Sequence, residues 1–117
     1  MPTLSVNDQS LRLTLTRTEK VLGLLRDLEV PLSAVTSVEV VPDGFAALRG
    51  IRAPGYALPR HRAIGTWRGR RKTLVSVRSG RPALRLTLDG QRYGEVLVAV
   101  EHPQDQAAEL RDAVTGR

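Results

Sequence analysis

Four short apolar runs in the second half of the chain constrain its fold more than any other feature. They are "RAIGTWR", "KTLVSVR", "ALRLTL" and "EVLVAV", separated by "GRR", "SGRP" and "DGQRYG". Each run has strand length, and each interval carries the glycine or turn chemistry of a hairpin-length connection. In the third run Leu84, Leu86 and Leu88 alternate with Arg85 and Thr87, the period of a half-buried strand. In the fourth, Val96, Val98 and Val100 form one face and Leu97 and Ala99 the other, so that strand is expected to be covered on both sides.

The first half continues the pattern less regularly. "LRLTLT" alternates Leu11, Leu13 and Leu15 with polar residues and predicts a strand. Thr16 and Glu19 then have the spacing of a capping box, in which a hydroxyl and a carboxylate each satisfy a free backbone N–H at a helix start. A short helix from about Arg17 to Arg26 follows, with Val21, Leu22 and Leu25 as its apolar stripe. "LEVPL" reads as a brief edge strand, since Pro31 has no N–H to give a ladder. "VTSVEVV" is a β-branched strand closed by the turn residues "PDG". Residues 1–10 read as a flexible lead-in. From Pro42 to about His61 no period is visible, and a long irregular loop is expected there. At the other end "HPQDQAAELRDAV" predicts a helix. Pro103 suits its first position, Asp105 its positive first turn, and Ala107, Leu110 and Val114 share one face.

The sum is a mainly β (α+β) chain: seven short strands in a bent antiparallel sheet or partly open barrel, with a C-terminal helix capping one open end. At 117 residues, 11–117 is expected to form a single domain. The strand starting at Ala83 or the one at Leu28 is expected to leave an exposed edge, which would favour a homo-oligomer.

The pattern resembles the pleckstrin-homology-like fold, and the local text is similar to the small bacterial proteins of that kind found in actinobacteria. The blocks that carry the resemblance are "VPLSAVTSVEVV" (Val30 to Val41), "RGIRAPG" (Arg49 to Gly55), "IGTW" (Ile64 to Trp67) and "VLVAVEHPQDQAAELRDAV" (Val96 to Val114). The resemblance implies a binding or assembly module. Eukaryotic relatives of the fold often hold phosphoinositide headgroups through basic loops, a property of particular loop residues rather than of the fold.

Charge supplies the one functional clue. Between Gly44 and Leu88 lie eleven of the eighteen Lys and Arg residues and none of the twelve Asp and Glu. Such an imbalance fits an anionic partner, although charge runs are usually solvated faces, and sixteen of the eighteen bases being Arg also fits GC-rich codon usage. Hairpin parity places the long loop and the "SGRP" turn at one end of the sheet. An anion-binding site of Arg49, Arg52, Arg60, Arg78 and Arg81 is therefore expected, because guanidinium forks bind phosphate or carboxylate oxygens in pairs. The same parity sends Arg68, Arg70, Arg71 and Lys72 to the other end, with Arg92. An even division of the bases between the two ends would argue against a single pocket.

Enzyme chemistry is not expected. His61 and His102 are the only histidines, far apart in a chain without cysteine, and no spacing suggests a metal site. His61 sits between Arg60 and Arg62, while His102 precedes the last helix, where capping is its ordinary role. Glu19, Glu29, Glu39, Glu95, Glu101 and Glu109 are each isolated on elements that read as solvated. No phosphate-cradling glycine motif occurs, and no cofactor is implied. Nucleic acid is the alternative partner to an anionic lipid headgroup or a protein. Its weakness is the scarcity of aromatics, with Trp67 placed in the core or at its rim. "MPTLSVNDQS" lacks the basic start and apolar core of a secretory signal, so a cytoplasmic location is expected, peripheral at a membrane if the basic face binds one.

Overall fold

The computed structural model describes residues 3–7, 9–17, 19–20, 25–44, 51–58, 62–68, 72–78 and 80–115, with residues 51–58, 62, 68 and 115 described through their backbone alone. Among the described residues nine strands stand where seven are expected: β1 (Thr3–Val6), β2 (Ser10–Thr14), β3 (Leu28–Pro31), β4 (Val35–Val41), β5 (Ile51–Leu58), β6 (Arg62–Arg68), β7 (Lys72–Arg78), β8 (Ala83–Leu88) and β9 (Glu95–Val98). They form two sheets, a three-stranded one in the order β1-β2-β3 and a six-stranded one in the order β4-β8-β9-β7-β6-β5. The fold is mainly β, with a helix over Pro103–Thr115, and the described strands close no barrel.

Both added strands lie where the sequence has no period. Residues 1–10, expected as a lead-in, contain β1. Asn7 turns the chain into β2: its Oδ1 accepts the N–H groups of Gln9 and Ser10 at 2.8 and 2.7 Å. Leu4 is then buried opposite Leu13. β5 runs through the expected long loop. Pro54 lacks a ladder donor, and the pairing with β6 shifts register between Arg52 and Gly55, which removes the alternation. The position is tolerable because β5 is an edge strand.

The sheet is also not wholly antiparallel. β9 pairs in parallel with β7 and antiparallel with β8, so it fills the slot between them. The "SGRP" turn thus joins two strands separated by a third and does not close a hairpin. This explains the two-sided apolar character of β9. Val96 and Val98 belong to the main core between the sheets, whereas Leu97 packs with Val41, Ala63, Trp67, Val75, Val77 and Ala83 on the opposite face. It also corrects the expected open edge at Ala83, since β8 is an interior strand. The strand at Leu28 is an edge, as expected.

The main core joins Leu11, Leu13 and Val30 of the small sheet to Ile64, Leu74, Leu84 and Leu86 of the large one. The C-terminal helix packs on β4, β1 and β8, so it bridges the two sheets and buries Ala107 and Leu110, with Val114 half-buried. Where β4 ends, Gly44 approaches so closely that a Cβ there would lie 2.8 Å from Val77 Cγ1 and 2.9 Å from the Ala83 Cβ, which leaves room for glycine only.

The capping box is formed. Thr16 N–H donates to Glu19 Oε1 at 2.8 Å, and Glu19 N–H to Thr16 Oγ1 at 3.2 Å. Arg17, Glu19 and Lys20 are helical and Leu25 is buried, while Val21 and Leu22 lie outside the described residues. Asp27 closes the segment by accepting the Leu15 N–H at 2.8 Å. That bond, with the ammonium of Lys20 at 3.4 Å, holds the Asp27 carboxyl below the usual carboxylate range.

Candidate anion-binding site

The β6–β7 hairpin carries the basic residues in an unusual register. Arg62 lies directly opposite Arg78 at one end, and Arg68 directly opposite Lys72 at the other. Like charges opposed in this way destabilise a pair of strands.

The first end gathers part of the expected site. Arg78 is half-buried at the end of β7, and Arg81 is exposed in the turn that follows. The turn is fixed by Arg81 N–H to the Arg78 carbonyl at 3.3 Å and by Gly44 N–H to the Arg81 carbonyl at 2.9 Å. The segment after β4 and the "SGRP" turn therefore do share an end. Arg49 and Arg60 lie outside the described residues. Arg52 does not join this group. It pairs with Trp67 on β6, the pair next to Ile51↔Arg68, which puts it at the Arg68↔Lys72 end. The structure thus unites Arg78 and Arg81, adds Arg62, which sequence reasoning missed, and sends Arg52 to the other end.

The second end is organised around Tyr93. Lys72 Nζ lies 5.2 Å and Arg92 Cζ 5.9 Å from the centre of its ring, distances at which a cation is attracted to the π face. The ring is itself held. Tyr93 is only 7% exposed, and its hydroxyl lies 3.4 Å from the buried Thr66 Oγ1. Backbone bonds fix the frame: Gly94 N–H donates to the Lys72 carbonyl, and Leu88 N–H to the Gly94 carbonyl, both at 2.9 Å. The joint placement of Lys72 and Arg92 agrees with the parity argument.

Carboxylates near this end are engaged elsewhere. Glu95 accepts the Thr73 hydroxyl at 3.1 Å and faces Arg85 Nε at 3.5 Å, while Arg85 also meets Glu39 at 3.2 Å. Arg85 is therefore one base of the acid-poor stretch whose charge is met within the sheet.

Glu19 corrects an expectation. Read as solvated, it is fully buried, and its Oε2 accepts the hydroxyl of Ser76 on β7. Nothing in a local motif announces this contact, because its partner lies 57 residues away. His102 is exposed and its carbonyl accepts Gln106 N–H at 2.9 Å, an ordinary helix-start role, while His61 lies outside the described residues. Trp67 is buried in the smaller core. Among the described residues no three His, Cys, Asp or Glu side chains converge as metal ligands, and no helix is long and apolar enough to cross a membrane.

No protein-family model matches the chain, and no curated protein or solved structure matches it significantly.

Proposed function

We propose that this chain is a non-enzymatic binding module of the pleckstrin-homology-like kind that engages an anionic surface, with phosphate-bearing headgroups as its natural chemistry. One observation carries this reading: the β6–β7 hairpin opposes base to base at both ends, Arg62 to Arg78 and Arg68 to Lys72. A sheet optimised for stability alone would oppose unlike charges there. An anion placed against such a pair removes the repulsion, and each base near an anionic leaflet contributes about 1 kcal/mol. The C-terminal helix seated on both sheets and the sequence blocks from Val30 to Val114 support the fold comparison. The parallel β7–β9 pair and the nine described strands depart from the seven-stranded antiparallel plan expected from the sequence.

Burial weighs against the nucleic-acid alternative. Trp67 and Tyr93 are 6% and 7% exposed, so neither offers a free face for stacking on bases.

Co-sedimentation with phosphatidylglycerol vesicles, neutral phosphatidylcholine vesicles, duplex DNA and single-stranded RNA tests the proposal. Binding to the anionic vesicles at low salt, lost as salt shortens the screening length to a few ångströms, is the expected result. Retention by RNA or DNA alone would transfer the function to nucleic acid, and binding to none of the four would remove the anion reading.

A further inference from the structure

We infer that the Tyr93 end, not the Arg78–Arg81 end, is the oxyanion site, with Lys72 and Arg92 as the cations that hold a phosphate group. The inference rests on the anion-binding reading and names its site. Three observations carry it.

The two cations converge on a single ring, at 5.2 and 5.9 Å from its centre, although they come from different elements. Each is attracted to the ring, but like charges repel, and among the described residues no carboxylate pairs with either of them. An oxyanion between an ammonium and a guanidinium would do so with charge-assisted hydrogen bonds from both. Second, the carboxylates of the adjoining strand and turn do not compete. Glu95 is held by Thr73 and Arg85, and Asp89, exposed in the preceding turn, forms no ion pair with Lys72 or Arg92. Third, the platform is prearranged. Tyr93 is buried in the main core, and the Gly94-to-Lys72 and Leu88-to-Gly94 backbone bonds tie the turn to the strand, so little ordering is left for the ligand to impose. Arg68, opposite Lys72 in register, places a further base at the same extremity.

The contrast with the other end is physical. Arg81 is exposed in its turn and Arg78 is half-buried at a strand end, and among the described residues neither lies over an aromatic ring. The chemistry recognised is a phosphate oxyanion, which a lipid headgroup or a free phosphate compound could both supply.

The test compares wild type, the Lys72→Gln/Arg92→Gln pair and the Arg78→Gln/Arg81→Gln pair. Each is measured against phosphatidylglycerol vesicles and against pyrophosphate in solution, and Tyr93 ring resonances are followed by NMR. The inference expects the first pair to weaken vesicle binding about thirtyfold and the second to leave it within about threefold. It also expects Tyr93 resonances of wild type to move on ligand addition. A response to pyrophosphate identifies free phosphate as a sufficient ligand, and a response to vesicles alone identifies the lipid headgroup. Equal losses in both pairs, or binding with no change at Tyr93, would overturn the site while leaving the anion-binding reading in place. Wild type that binds neither probe would overturn both.

Discussion

Replacing Leu110 by Ala is expected to lower stability by about 2–5 kcal/mol, the cost of truncating a leucine in a closed core, and to lower the melting temperature by roughly 10 °C or more. Leu110 is 1% exposed and sits with Ala107 on the face that meets β4, β1 and β8. The helix is what joins the two sheets on that side, so the cavity would open between elements that no hydrogen-bond ladder holds together. Glu109→Ala, on the exposed face of the same helix, is the control and should change stability by no more than about 0.5 kcal/mol. Thermal unfolding followed by circular dichroism reads both. An unchanged midpoint for Leu110→Ala would mean that the helix does not close the core.

Glu19→Ala should produce the second large effect, a loss of about 2–4 kcal/mol. The substitution removes the acceptor of the Thr16 N–H and leaves the Ser76 hydroxyl without its acceptor in a buried site. Thr16→Ala, which removes only the hydroxyl side of the box, should cost about 1 kcal/mol. The two contributions separate in a double-mutant cycle. Glu19→Ala and Ser76→Ala are expected to be non-additive by at least about 0.5 kcal/mol, since each strands the other's polar group. Strict additivity in denaturant unfolding would show that the Glu19–Ser76 contact contributes nothing.

These two residues also show what the sequence makes legible. Leu110 is readable because helical periodicity and burial are both local: the i, i+3, i+7 stripe points one way whatever it packs against. The capping box at Thr16 is readable for the same reason. The burial of Glu19 is not, because it is decided by Ser76, and neither residue's neighbours in sequence contain that information. Strand alternation identified β2 and β8, while strand length and flanking turns identified β6, β7 and β9. β5 escaped because Pro54 and the register shift beside it erase the period, and β1 because four residues are too few to display one.

That missed strand displaced the candidate site. With residues 42–61 taken as a loop, Arg52 could be assigned to the same end as Arg78. With β5 in place Arg52 lies opposite Trp67, next to the Arg68↔Lys72 end. Arg62 was recoverable. Counting outward from Arg70 in both directions reaches 68 and 72, then 62 and 78, which are the opposed basic pairs. The order of the six-stranded sheet was not recoverable from turns, because the parallel insertion of β9 between β7 and β8 is a long-range choice. The bases divide between the two ends, so a single five-arginine pocket gives way to two basic extremities of one hairpin.

The central claim is that the opposed bases are kept for binding an anion at a cost in stability. It is tested most directly by measuring the partition of the Arg68→Glu/Arg78→Glu variant onto phosphatidylglycerol vesicles at low salt. Each change turns a like-charge pair into an unlike one, and the carboxylate that Arg68→Glu sets opposite Lys72 competes with the anion for that ammonium. The account predicts a variant at least as stable as wild type, by up to about 1 kcal/mol for each pair, whose vesicle binding is lost. A folded variant that still binds the vesicles as wild type does would contradict it.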